Sequence, residues 1–230
     1  MLKKEVKDIL VAHAKSGWVT EPDAQKIFSL YGFRTPEYDV ATDEARATAI
    51  AKKIGYPVVA KIVSPAVIHK SDVKGVVVGI RDDLSFAEAF RHISRIEGFE
   101  GMLIAEMVKG LELIIGAQND FQFGPMVLLG MGGVGVEIYK DVSLRMAPLT
   151  EADAGCMIQG LTAGRLLSGY RGAAPVDLEL LTKTLIDFSH LVMSMDELVE
   201  SIDLNPVMCT EKECIIADSR IMLKKNTRAQ

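Results

Sequence analysis

The chain has 230 residues, 49% of them hydrophobic and 25% charged, which suits one large domain or two closely fused small ones and argues against disorder. A net charge of −5, with Lys and Arg scattered rather than clustered, argues against a nucleic-acid-binding surface. The three cysteines form no CxxC pair, which points away from a disulfide framework or a zinc site and towards a reducing compartment. No apolar run reaches the roughly 18 residues of a membrane span, and the N-terminus lacks an apolar signal core. A cytoplasmic protein with no membrane partner is expected.

Val6, Ile9, Leu10 and His13 recur on one face and predict a helix within the first 20 residues. A second helix begins at Glu21-Pro22, where proline suits the first turn, and runs through Ala24, Ile27, Phe28 and Leu30 to a stop at Tyr31-Gly32. A strand over residues 37–40 precedes a helix opened by Thr42-Asp43 and closed at Gly55. Residues 56–63 read as a buried strand and Val76–Ile80 as a β-branched one, followed by a helix over 82–96. Strands follow at 102–107, 112–119, 126–129 and 143–148. Thr150, with Asp153 three residues on, is an N-cap candidate for a helix through Ile158, with a further helical stretch near 161–167. A longer helix covers 176–193, and two final strands, 198–204 and 213–217, flank Asn205-Pro206. Closely spaced strands imply antiparallel pairs, so the class is α+β or mixed α/β.

Four places carry possible chemistry. Lys61 lies in the apolar run Pro57-Val58-Val59-Ala60-Lys61-Ile62. Burying an ammonium group costs several kcal/mol unless it is paired. Lys61 is therefore either a snorkelling side chain paired with a carboxylate or a phosphate-binding lysine. The next segment, residues 64–76, is a polar loop holding His69, Lys70, Ser71, Asp72, Lys74 and Gly75. A lone histidine usually has no special role, but imidazole can carry a transferred phosphoryl group, and two lysines beside it suit phosphate oxygens. The glycine cluster Gly130-Met131-Gly132-Gly133-Val134-Gly135-Val136-Glu137 follows an apolar strand and matches neither GxGxxG nor a Walker A loop. It is a phosphate cradle or a tight connection. Asp203-Leu204-Asn205-Pro206 and Asp218 fall at the ends of two predicted strands, where they suit either a Mg²⁺ pair or turn chemistry.

The order of these segments resembles the β subunit of ADP-forming acetyl-CoA synthetase over nearly the whole chain. The matching pieces are Asp23-Ala24-Gln25-Lys26-Ile27 to Tyr31-Gly32, "YPVVAK" at 56–61 and "HKSDVKGV" at 69–76. They continue with Glu106 to Gly116, "FGP" at 123–125, "GMGG" to Glu137, "APLT" at 147–150 and "DLNP" at 203–206. The resemblance implies an ATP-grasp fold with two α+β lobes enclosing nucleotide. It places an N-terminal helix at about 1–20, a first lobe with the histidine loop at 21–105, and a second lobe with the Mg²⁺ site at 106–230.

In that resemblance Lys61 and Lys70 meet nucleotide phosphates, Glu106, Met107 and Val108 form the hinge that reads adenine, and Glu112 is a second acidic nucleotide contact. Asn205 and Asp218 match the Mg²⁺ ligands, with Asp203 nearby. His69 looks like the second phosphohistidine, passing a phosphoryl group between a CoA-binding α subunit and ADP/ATP, in an expected α2β2 assembly. The implied net reaction is acyl-CoA + ADP + phosphate ⇌ carboxylate + CoA + ATP, an ADP-forming acid–CoA ligase. The alternatives are a stand-alone ATP-grasp carboxylate ligase and a non-catalytic nucleotide-sensing module. The chain departs from the family in two places: Lys74-Gly75 stands for Gly-Gly, and Asp218-Ser219-Arg220 for Asp-Ala-Arg.

Overall fold

The computed structural model describes residues 2–133, 141–170, 172 and 174–224. The described elements, in chain order, are α1 (Lys4–Ala12), β1 (Trp18–Val19), α2 (Glu21–Leu30), β2 (Tyr38–Ala41), α3 (Glu44–Ile54), β3 (Val58–Val63), β4 (Val76–Ile80) and α4 (Asp83–Ile93). There follow β5 (Gly101–Glu106), β6 (Leu111–Asp120), β7 (Gly124–Met131), β8 (Val142–Met146), α5 (Glu151–Gln159), a 3₁₀ turn (Gly164–Leu166), α6 (Leu178–Met195), β9 (Val199–Cys209), β10 (Cys214–Ile216) and β11 (Ser219–Leu223). They divide into two compact units, one of residues 1–19, 23–35 and 109–230, the other of residues 20–22 and 36–108.

The smaller unit is a four-stranded antiparallel sheet in the order β2-β5-β3-β4. Alternate residues of β3 and β5 (Val58, Ala60, Ile62, Met102, Ile104) bury one face against Ala47, Ile50, Phe86, Phe90 and Ile93 of α3 and α4. Both helices start where the side chain of an aspartate accepts a backbone N–H, Asp43 from Arg46 and Asp82 from Ser85. The odd residues of β3, Lys61 among them, therefore point away from α3 and α4.

The larger unit holds a seven-stranded sheet in the order β1-β11-β9-β6-β7-β8, with β10 paired to the far end of β9. Its buried face (Leu113, Ile115, Val127, Leu129, Ile202 and Leu204) shares a core with Met157 of α5, Leu185 and Phe188 of α6, and Ile27 and Phe28 of α2. Helix α5 opens with a complete capping box between Thr150 and Asp153. Cys209 and Cys214 face each other across β9 and β10 as free thiols, 3.1 Å apart.

The grouping of the chain differs from the expected lobes. Residues 23–35 go with the larger unit, because Ala24, Ile27 and Phe28 are wholly buried in its core. Among the described residues, three final strands follow α6 rather than two, and β9 runs straight through Asn205-Pro206 instead of ending before it. No helix among the described residues is long and apolar enough to cross a membrane.

Candidate active site

In the smaller unit, the expected phosphate-binding residues gather on a carboxylate that sequence reasoning assigned no role. Lys61 is central in β3, opposite Leu103 of β5 and Val76 of β4, and only 5% exposed. Its Nζ donates to Glu21 Oε1 at 2.5 Å, and Lys70 Nζ donates to the other oxygen, Oε2. Glu21 is itself 4% exposed. The lysine thus has the carboxylate partner that one of the two sequence readings required, but it does not snorkel; the whole pair is buried. Glu21 escaped notice because a glutamate at the first position of a helix has a sufficient local reason in the helix dipole. Its partners lie 40 and 49 residues away.

The loop from Ser64 to Gly75 is pinned at its neck. Gly75 N–H donates to Lys70 C=O at 2.7 Å, and Ile62 N–H donates to Gly75 C=O at 2.8 Å. Gly75 has no room for a side chain, since a Cβ there would lie 2.6 Å from Ile62 Cγ2. Lys74 adopts the left-handed conformation, φ 54°, which glycine occupies freely and other residues at a cost of about 1–2 kcal/mol. The family's glycine at this position therefore has a backbone reason, and Lys74 pays for the replacement in strain. His92 Nε2 lies 3.0 Å from Lys74 C=O. His69 sits on the exposed part of the loop, adjacent in sequence to the anchored Lys70.

At the end of β5, Glu106 exchanges backbone contacts with Glu37, its N–H donating to Glu37 C=O at 2.8 Å, while its carboxylate accepts Glu37 N–H at 3.4 Å. Met107 and Val108 follow, half-buried, and the chain passes to the larger unit at Lys109.

In the larger unit, Glu112 lies on the open face of β6, beside the start of the glycine cluster. Gly132 N–H donates to Glu112 C=O at 2.6 Å, and a Cβ on Gly132 would come within 2.7 Å of Glu112. Gly132 is thus needed for close approach at this point. Val134 to Glu137 lie outside the described residues.

Asn205 and Asp218 are opposed. Asn205 N–H donates to Asp218 C=O at 3.2 Å, continuing the ladder in which Leu204 pairs with Ser219 and Asp203 with Arg220. Against β6, Val207 is opposite Leu113 while Leu204 is opposite Ile115, so β9 carries one extra residue at Asn205-Pro206. This is a β-bulge, and it accommodates a proline that an unbroken ladder would reject. The turn expected at Asn-Pro is corrected to a bulge within a continuous strand. Asp203 accepts from Arg220 at 3.0 Å on the same open face.

A family model described as an ATP-grasp domain matches residues 10–223. The β subunit of acetate–CoA ligase (ADP-forming) I from Pyrococcus furiosus is 42% identical over 220 residues, covering 92% of this chain and 94% of that one. The chain belongs to the ADP-forming acetate–CoA ligase β-subunit family of ATP-grasp domains. Solved members of this ATP-grasp family superimpose closely. The dinucleotide-forming acetyl-coenzyme A synthetase 1 of Ca. Korarchaeum cryptofilum, in complex with coenzyme A, Ca-AMPCP and HgCl+, gives a TM-score of 0.88 at 40% identity, covering 95% of this chain and 99% of that one. The same enzyme with coenzyme A and Mg-AMPPCP, its phosphohistidine segment pointing towards the nucleotide binding site, gives 0.82 at 39%, covering 95% and 100%.

Proposed function

We propose that this chain is the nucleotide-handling subunit of an ADP-forming acyl-CoA synthetase, and that His69 relays the phosphoryl group between a CoA-binding α subunit and ADP. The observation that carries the residue assignment is the placement of His69 on an exposed loop directly beside Lys70, which converges with Lys61 on Glu21. An imidazole nitrogen lone pair is one of the few side-chain nucleophiles that can carry a phosphoryl group covalently. It takes the phosphoryl group from the partner as one P–N bond breaks and another forms. A terminal phosphate oxygen of ADP then attacks the phosphorus, breaking the bond to His69 and yielding ATP.

Lys61 and Lys70 meet the charge on the migrating group and on the acceptor phosphates. Glu106, Met107 and Val108 offer main-chain groups to the adenine edge, and Glu112 supplies an acidic contact beside Gly132 and Gly133. Asn205 and Asp218 are the residues that would hold Mg²⁺, with Asp203 close by. The donor set fits, being an amide oxygen on β9 and a carboxylate from the residue just before β11, held opposite each other by their backbone hydrogen bond. Among the described residues no group of three or more His, Cys, Asp or Glu could hold a metal unaided. Phosphate oxygens and water would supply the remaining ligands. When bound, Mg²⁺ supplies neutralising charge to the nucleotide phosphates.

The "β subunit" relative implies a partner chain, and an α2β2 assembly with that partner is the arrangement we propose. The test is ATP formation from acetyl-CoA, ADP, phosphate and Mg²⁺ by the chain reconstituted with its CoA-binding partner. His69→Asn should abolish ATP formation and leave ADP affinity within about twofold. Full turnover by His69→Asn would end the relay assignment.

A further inference from the structure

We infer that Glu21 is a positioning residue for phosphoryl transfer. It sets the two cationic side chains and thereby the root of the loop that carries His69. The inference rests on the relay proposed above and assigns it a part that neither the motifs nor the chemistry of phosphate binding supplied.

The geometry is specific. Each carboxylate oxygen of Glu21 takes a different ammonium group, Oε1 that of Lys61 and Oε2 that of Lys70. One of these lysines comes from the middle of a sheet strand and the other from a polar loop. The side chains are 4%, 7% and 14% exposed for Glu21, Lys61 and Lys70. In such surroundings charged hydrogen bonds are strong and directional, and an ammonium group without a counter-charge would leave its place.

Glu21 therefore fixes Lys70 by its side chain, while Gly75 N–H fixes the same residue by its carbonyl. His69 is one peptide bond from this doubly held point. A carboxylate is required for the job, because a neutral amide of the same shape offers one oxygen to two cations. It touches neither nucleotide nor the reacting phosphorus in this scheme; its effect passes through Lys61 and Lys70. Misplacement of a reacting group by about 1 Å lowers transfer rates by about 10²-fold.

The experiment is rapid-quench measurement of His69 phosphorylation, with the full chain, its α partner, Mg²⁺ and γ-labelled ATP, for wild type, Glu21→Gln, Glu21→Asp, Lys70→Met and Glu21→Gln/Lys70→Met. Thermal melts run alongside. Glu21→Gln should slow labelling by about 10²-fold per folded molecule, with a smaller change in the nucleotide concentration at half-saturation. Glu21→Asp should recover part of the rate. Lys70→Met should add little to Glu21→Gln, because both changes disable one arrangement.

Should Glu21→Gln fail to fold, Glu21→Asp alone decides, by a slowed rate at a retained melt. A folded variant that labels at the wild-type rate overturns the role of Glu21 while leaving the relay standing. Additive losses in the double variant overturn its action through Lys70. A wild-type chain that takes up no label overturns the relay itself, and this inference with it.

Discussion

The two units present charge in opposite ways. In the smaller one, Glu21 and Lys61 are buried, Lys70 is half-buried, and the three are already joined, so the groups proposed to meet phosphate are held by the fold. In the larger one, Asn205 is exposed and Asp218 half-exposed on an open sheet face, brought together by backbone pairing and a bulge. The buried cluster is thereby part of the stability of its unit, and the open pair is almost independent of stability. A residue of the first kind reports on folding and function together, and one of the second kind on function alone.

The contrast is broken most sharply by truncation in each unit. Glu21→Ala should destabilise the fold by about 3–5 kcal/mol, the usual result of stripping one partner from a buried charge pair. Asn205→Ala and Asp218→Ala should each change stability by less than about 1 kcal/mol and still remove Mg²⁺-dependent nucleotide turnover. Urea unfolding followed by circular dichroism measures the first quantity, and coupled ATP formation the second. Equal destabilisation in the two units would refute the distinction.

Smaller effects are expected where the chain departs from its family. Ser219 is 2% exposed, and among the described residues its hydroxyl has no hydrogen-bond partner. Ser219→Ala, the family residue, should therefore stabilise by about 1 kcal/mol, because an unsatisfied buried hydroxyl is removed. Lys74→Gly should gain about 0.5–1 kcal/mol, the left-handed strain relieved less the entropy that glycine loses on folding. Both are read as shifts of the urea midpoint at constant slope. A destabilised Ser219→Ala would mean that the hydroxyl holds something.

The smallest expected effects are in pH dependence. Burial, helped by the hydrogen bond to Asp83, pushes the Tyr56 hydroxyl up to about 12. The neutral phenol is favoured in the fold, so its contribution is whole below about pH 10 and is lost as pH rises through 12. At the acid end, Asp82, Asp83 and Asp153 are held below the usual carboxylate range. Ser85, Lys52 and Thr150 respectively are the main hydrogen-bond partners responsible. Their contribution is present above the ordinary aspartate value and is lost as pH falls through the depressed one. Spectrophotometric titration of the tyrosines and acid unfolding of Asp153→Asn check the two ends.

Much of the fold was legible because it is written locally. Asp43 and Thr150 cap the helices predicted from them, the apolar run at 56–63 holds β3 (Val58–Val63), and the helix expected over 82–96 holds α4 (Asp83–Ile93). What escaped was non-local. Trp18–Val19 is too short for any period, and becomes a strand only by pairing with Ile221 and Met222, some 200 residues on. Asn205-Pro206 carries a turn signature, which the neighbouring strands β6 and β11 override. In the candidate site, His69 and Lys61 were visible as odd residues in their surroundings. Glu21 was not, because a helix start explains it locally.

The central claim is that His69 carries the phosphoryl group, and protein-bound phosphate tests it most directly. Purified chain and its α partner are mixed with Mg²⁺ and γ-labelled ATP, and the protein is then treated with acid or base. The account predicts label that is lost in acid, survives base and is absent from His69→Ala. Label that resists acid, or that persists in His69→Ala, would contradict it.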